Sequence, residues 1–263
     1  MSAPPHADPG WGVFETMLVI AGRPVELDAH IERLRTSASA LYRSTLPDSA
    51  PALALDAARG IEHGKVRLTV VPARARVEMR VNAEEVEAAS VFPTGERAAR
   101  LRSFVVEGGL GEHKWADRRL LDRLAAGASA GELPLLLESD GTVLEASRAS
   151  VFAVREGRLL TPPTDGRILP SIARRQTIEV AREAGIGVEE ESLSLAELHG
   201  SELFLTGSVR GIEPARAIDG EPLAAPSELS GRIAAGLRRR WRVPAAEPVA
   251  AVAGGQPGGR PER

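Results

Sequence analysis

The sequence predicts a soluble two-domain protein of mixed α/β structure, and three observations carry that expectation. The chain has 263 residues, 43% of them apolar and 26% charged, enough to bury a sizeable core without disulfides or metals. Short apolar runs alternate with stretches whose apolar residues recur at helical spacing. Residues 90–99, Ser-Val-Phe-Pro-Thr-Gly-Glu-Arg-Ala-Ala, break that pattern with Pro, Gly and charge and read as a linker between two such regions.

Val13 to Ile20 is an apolar strand candidate, and Ala21-Gly22-Arg23-Pro24 has the chemistry of a turn opening a hairpin. Asp28 is placed to cap a helix running to about Tyr42, with Ile31, Leu34, Ala38 and Leu41 on one face. A second helix is expected over about 50–62, then paired strands at 66–71 and 76–81. Beyond the linker, Leu101 to Val106 begins the second region. A helix follows over 115–127, and strands are expected at 133–138, 149–154 and 157–161. Pro170 opens a helix that Gly185 stops, with Ile172, Ile178, Val180 and Ala181 turned inward. A strand at 203–206 and an amphipathic helix at 226–242 complete the order. Residues 246–263 are disordered by composition.

The composition excludes several classes. The formal net charge is -3, which argues against nucleic acid or an anionic membrane as partner. The chain has no cysteine, so it forms no disulfide and has no thiolate nucleophile or Cys-ligated metal. The first residues lack the basic start and apolar run of a signal peptide, and no stretch is apolar and long enough to span a bilayer. Of 33 basic residues only Lys65 and Lys114 are lysine, as a GC-rich coding bias would leave it. A lysine that survives such a bias is either a chance retention or one that arginine cannot replace, because only the lysine amine deprotonates and attacks an aldehyde.

Five segments carry chemistry. Gly12-Val13-Phe14-Glu15-Thr16 precedes Leu27-Asp28-Ala29-His30-Ile31-Glu32-Arg33-Leu34, and Arg33 there offers a guanidinium fork suited to a phosphate; the alternative is a solvated helix arginine. Glu112-His113-Lys114-Trp115-Ala116-Asp117-Arg118 holds the second lysine. Leu144-Glu145-Ala146-Ser147-Arg148-Ala149-Ser150-Val151-Phe152 follows the Asp140-Gly141 turn, and Glu145 is either a functional carboxylate or a solvated acid. Thr161-Pro162-Pro163 and Gly166-Arg167-Ile168-Leu169-Pro170-Ser171-Ile172-Ala173-Arg174 lead into a helix whose N-terminus offers free N–H groups to an anion. The fifth is Thr206-Gly207-Ser208-Val209-Arg210-Gly211.

In this order, from about residue 10 to 218, the segments resemble class IV (fold type IV) pyridoxal 5'-phosphate (PLP) enzymes: branched-chain and D-amino-acid aminotransferases and 4-amino-4-deoxychorismate lyases. The resemblance implies a small α/β domain over 1–90 and a larger PLP-binding domain over 91–245 with a β-barrel-like core. It implies PLP held as a Schiff base on Lys114, with Glu145 facing the pyridine nitrogen to keep the ring an electron sink. Arg33, the backbone amides of Ile172 and Ala173, and the Ser208 hydroxyl would hold the phosphate. Trp115, Ser150 and Ala173 depart from the residues common at their positions, where Ser or Thr, Asn, and Thr respectively are usual. His30 and His113 are expected to be structural and Lys65 to lie on the surface. Arg210 and Arg148 are the candidate anchors for substrate carboxylates.

The Ser-Val-Arg-Gly string and a start close to the Gly12–Thr16 segment resemble lyase-type members. The expected activity is therefore conversion of 4-amino-4-deoxychorismate to 4-aminobenzoate and pyruvate. The alternatives are an aminotransferase for branched-chain or D-amino acids with a 2-oxo acid acceptor, and a non-catalytic PLP-fold protein. The resemblance further implies a cytoplasmic homodimer, with no metal; the start close to Gly12 leaves room for a missing edge strand in the small domain.

Overall fold

The computed structural model describes residues 4–74 and 76–244; the tail expected from 246 lies outside the described residues. Two sheets organise the chain. The first has the order β2-β1-β3-β4, built from β1 (Val13–Ile20), β2 (Arg23–Pro24), β3 (His63–Ala73) and β4 (Arg76–Glu85). Helices α1 (Leu27–Tyr42) and α2 (Ala50–Ala58) cover one face. All eight residues of β1 are buried, because both faces of this strand are covered. Side chains alternate along a strand, so Val13, Glu15, Met17 and Val19 face the helices. Phe14, Thr16, Leu18 and Ile20 face the second half of the chain. The same alternation in β3 sends Val66, Leu68 and Val70 into the helix-side core and leaves Lys65, Arg67 and Thr69 on the other face. The antiparallel register sets Thr69 opposite Phe14, Arg67 opposite Thr16 and Lys65 opposite Leu18.

The second sheet comprises β5 (Ala99–Val105), β6 (Glu132–Leu137), β7 (Val143–Ala146), β8 (Ser150–Arg155), β9 (Arg158–Thr161), β10 (Val188–Glu190), β11 (Glu202–Gly207), β12 (Gly211–Ile218) and β13 (Glu221–Pro222). The order is β10-β9-β8-β11-β12-β5-β6-β7, with β13 on β12. β5 runs parallel to both β12 and β6. At the β7 end the sheet curls back on itself: Ala146 N donates to Ala149 O at 2.9 Å and pairs β7 with the start of β8. Aliphatic side chains such as Leu101, Leu135, Val151, Leu160 and Leu205 fill the concave side. Helices α4 (Ile172–Glu183) and α6 (Glu228–Arg240) pack on the other side around stacked Phe152 and Phe204. Helices α3 (Arg119–Gly127) and α5 (Leu195–Leu198) complete the set.

Most expected elements form, with instructive differences. α1 has no side-chain cap: Glu26, in the left-handed region, precedes it, and Asp28 lies inside the first turn. α2 ends at Ala58 rather than 62. The helix expected from 115 starts only at Arg119, because 114–116 is held extended against β1: Phe14 N donates to Lys114 O, and Ala116 N to Gly12 O, both at 2.9 Å. Pro170 stands outside α4, whose cap is Ser171, accepting from Arg174 N at 3.2 Å. Arg174 is buried and pins that end through Thr161 Oγ1, Pro162 O and Glu190.

Gly12 is the tightest point of this frame. Its φ is +92°, and a Cβ there would meet Val70 O at 2.1 Å. Gly12→Ala is therefore expected to destabilise the protein by about 1–3 kcal/mol, seen as a lower urea midpoint at unchanged slope. An unchanged midpoint would show that the backbone relaxes here without cost.

Candidate active site

Lys114 sits where the two sheets face each other. Its backbone is tied to β1 and its ammonium lies 5.2 Å from the centre of the Phe14 ring. It belongs to an irregular segment that makes a single bridge, Val13 with Trp115. His113 turns away to bond Ser37 Oγ at 3.0 Å and packs edge-on against Trp115.

Behind the lysine, Glu145 is buried on β7 and accepts from Leu169 N at 3.4 Å. Burial pushes its carboxyl up to about 8, against the pull of the Leu169 N–H, Lys114, Arg118 and Arg33. Burial also lowers the Lys114 amine to about 8, helped by Arg33 and Arg118 and opposed by Glu15 and Glu145. A lysine so depressed has a substantial neutral fraction near neutral pH, which is the form that attacks a carbonyl or accepts a proton.

The Gly12–Thr16 segment supplies a residue that sequence reasoning missed. Glu15 is buried beneath α1. It accepts from Arg33 through Nε at 2.7 Å and Nη2 at 2.8 Å, and from His30 Nδ1 at 2.6 Å. Burial would raise its carboxyl, but Arg33 and His30 outweigh that and hold it at about 2. Arg33 also donates from Nη1 to Pro170 O at 2.9 Å, linking α1 to the start of α4. One edge of its guanidinium is thus committed to Glu15, and its remaining N–H groups are the ones available to an anion.

Arg33, Ser171 and Ser208 share a cavity with Lys114, Glu145 and Ser150. Ile172 and Ala173 send their side chains into the core, so only their backbone amides, the first of α4 and without intrahelical partners, are available to an anion. Among the described residues, two buried side-chain atoms have no hydrogen-bond partner: Ser150 Oγ and His6 Nε2. Each lines a cavity that also contains Lys114. A buried hydroxyl left unbonded is costly, so a cavity wall carrying one fits a polar occupant. Together with a helix start whose amides are open to an anion, an amine lowered to about 8 and a buried carboxyl, it fits PLP.

On the other side of Lys114 opens a cleft with about 970 Å³ of open space. Arg148 and Arg210, the candidate carboxylate anchors, line it together with Ser208, and so do Arg67, Arg118 and Lys65. Lys65 is therefore not simply a surface residue: it faces the cleft and bonds Glu84 at 3.0 Å. Arg67 stacks over the Phe14 ring at 4.5 Å, and Arg118 donates to Ser147 O at 2.8 Å. Among the described residues no cluster of acids and histidines could hold a metal ion, and no helix is long and apolar enough to cross a membrane.

The architecture, two facing sheets with a lysine between them, defines a fold type IV protein. The family model for amino-transferase class IV matches residues 12–218; the chain belongs to this PLP-dependent enzyme family. It is 37% identical over 87 residues to the branched-chain-amino-acid aminotransferase of Escherichia coli, a stretch covering 33% of this chain and 28% of that protein. The match thus spans under a third of that relative's length. In fold it is similar to the 4-amino-4-deoxychorismate lyase of Pseudomonas aeruginosa, with TM-score 0.72, 24% identity, and 91% and 95% of the two chains covered. It is also similar to the PLP-bound form of a hypothetical aminotransferase from Mycobacterium tuberculosis, with TM-score 0.73, 23% identity, and 92% and 93% covered.

The shift of Glu145 has a measurable consequence. Its folded value, about 8, lies above its ordinary 4.5, so the folded cofactor-free protein binds the extra proton between those values. Its contribution is full below about pH 4.5 and is lost as pH rises through 8. In thermal melts of cofactor-free protein, Glu145→Gln should remove this decline, so that the wild-type advantage over the variant shrinks from pH 5 to 8. Parallel curves would show that Glu145 ionises normally.

Proposed function

We propose that this protein is a PLP-dependent 4-amino-4-deoxychorismate lyase, releasing pyruvate and 4-aminobenzoate. The observation that carries the reading is the charge of the cleft: Lys65, Arg67, Lys114, Arg118, Arg148 and Arg210 line it against a single acid, Glu213. Aminodeoxychorismate bears two carboxylates, and a dianion gains most from such a wall. A branched aliphatic side chain would gain little from it.

The residues take the following roles. Lys114 would hold the cofactor, its Nζ being the amine in the cavity able to bond an aldehyde. Arg33, the Ile172 and Ala173 amides and Ser208 bind the phosphate. Glu145 supplies a carboxylate to the ring nitrogen, which keeps that nitrogen protonated; a cation there would draw the carboxyl back towards ionisation. When bound, PLP supplies the electron sink for the pair left by deprotonation of the carbon bearing nitrogen. Lys114 Nζ, with its pKa lowered to about 8, has a far larger neutral fraction than an ordinary lysine and is the group placed to remove that proton. The C–O bond to the enolpyruvyl group then breaks, the ring becomes aromatic, and the departing enolate takes one proton on carbon to give pyruvate. Arg148 and Arg210 orient one carboxylate, and Arg67 stands across the cleft for the other.

A second reading, a branched-chain aminotransferase, is favoured by the local identity to the E. coli enzyme and by Phe14, Val86, Leu205 and Val209 in the cleft wall. The proposal includes a cytoplasmic homodimer, with residues 1–90 as the small domain and 91–245 as the PLP-binding domain.

Purified protein loaded with PLP should convert aminodeoxychorismate to 4-aminobenzoate and leave branched-chain amino acids with 2-oxoglutarate nearly untouched. Lys114→Ala should abolish both turnover and the visible band of lysine-bound cofactor, whereas Lys65→Arg should keep the band. Transamination without 4-aminobenzoate would select the second reading, and a reduced cofactor adduct on Lys65 would overturn the assignment of Lys114.

A further inference from the structure

Glu213 is the acid in the cleft wall, and nothing in the roles above uses it. It lies on β12 with its side chain 4% exposed. Two arginines converge on it from different elements. Arg210, in the loop between β11 and β12, donates Nε to one oxygen at 2.9 Å and Nη2 to the other at 2.7 Å. Arg148, in the turn between β7 and β8, reaches the same two oxygens from Nη2 at 3.2 and 3.3 Å. Two guanidinium groups brought this close repel each other, and the shared carboxylate offsets that repulsion.

Both guanidinium groups keep donors to spare. A guanidinium has five N–H groups. Arg210 commits its Nε and one on Nη2; Arg148 commits one on Nη2. Most of the donors of both groups therefore stay uncommitted, and both side chains line the cleft that holds Lys114. The charges leave a net of one positive, the complement of one carboxylate. The frame is stiff as well. Arg210 O accepts from Phe92 N at 2.8 Å, and Gly211, at φ +63°, lies so close to the Phe92 ring that a Cβ would meet it at 2.5 Å.

We propose that Glu213 is the positioning residue of a two-arginine receptor, Arg148 with Arg210, that takes one carboxylate of the amine substrate. The proposal rests on reading the Lys114 cavity as a class IV active site and holds for either reaction considered above. Glu213 touches neither substrate nor cofactor; it acts by holding the two guanidinium groups in register.

Isothermal titration of PLP-loaded protein tests it with two ligands that carry no amine and so do not displace Lys114: chorismate and 2-oxoglutarate. Glu213→Gln should weaken whichever ligand binds the wild type by about tenfold or more, while the cofactor band persists, and Glu213→Asp should recover part of the loss. In turnover, KM should rise more than kcat falls. Should Glu213→Gln fail to fold, Arg148→Gln carries the test, because Glu213 still holds Arg210 there; a similar weakening is expected. Unchanged or tighter binding in these variants would overturn the proposal, as would a wild type that binds neither ligand. If 2-oxoglutarate binding shows the expected loss but no 4-aminobenzoate is ever made, the receptor stands and the lyase reading fails. If 4-aminobenzoate is made with the same KM by Glu213→Gln, the lyase reading stands and the receptor fails.

Discussion

The carboxylate of Glu15, buried beneath α1, is the interaction on which the site depends. It stands on β1, is bonded by two residues of α1, and through Arg33 reaches Pro170 at the entrance of α4. Sheet, helix and the opposite half of the molecule are thereby held to one point. A buried ion pair contributes little net stability against an apolar alternative, but losing one partner leaves an uncompensated charge and costs about 3–5 kcal/mol. The value of the arrangement is geometric. A free arginine has many rotamers, and one clamped edge-on by a carboxylate has few, so Arg33 is delivered to the cavity already oriented.

The same economy recurs across the cavity. Glu213 holds two arginines as Glu15 holds one, and both acids are fully occupied by their partners. Glu145 differs: apart from one long bond from Leu169 it has no fixed partner, and burial drives its carboxyl up to about 8. A carboxyl left unmatched while the other acids are saturated has room for a cationic partner, the role proposed above for the PLP ring nitrogen. Lys114, lowered to about 8 by burial and by neighbouring arginines, lies in the same cavity, and such pairs of shifted groups gather at functional sites.

Much of this was legible in the sequence. Lys114 and Glu145 stand out through lysine scarcity and segment order, and the α4 entrance through its Pro, Ser and following apolar periodicity. What was not legible depends on register. A lysine beside an apolar strand reads as a surface residue, because nothing local says which face of β3 turns to the helices and which to the cleft. Once Lys65 is paired with Leu18, and Arg67 with Thr16, alternation puts both basic residues on the cleft face. Glu15 carries no signal of its own within its motif, since an acid in an apolar strand has no visible partner until α1 folds across it. Glu213 is hidden for the same reason, its partners lying 65 and 3 positions away in sequence. Asp28 misled in the other direction: its side chain suits a cap, but the chain enters the helix through Glu26 in a left-handed conformation.

Because Glu15 reaches the cavity only through Arg33, the most direct measurement is a PLP titration of wild type, Glu15→Gln, Arg33→Ala and the double variant, each under conditions where it is folded. Both single variants should bind PLP about tenfold or more weakly, the scale of one lost charged hydrogen bond. The double variant should be little worse than Arg33→Ala alone, because the two residues form one unit. Unchanged affinity in Glu15→Gln, or losses that add in full, would contradict the account.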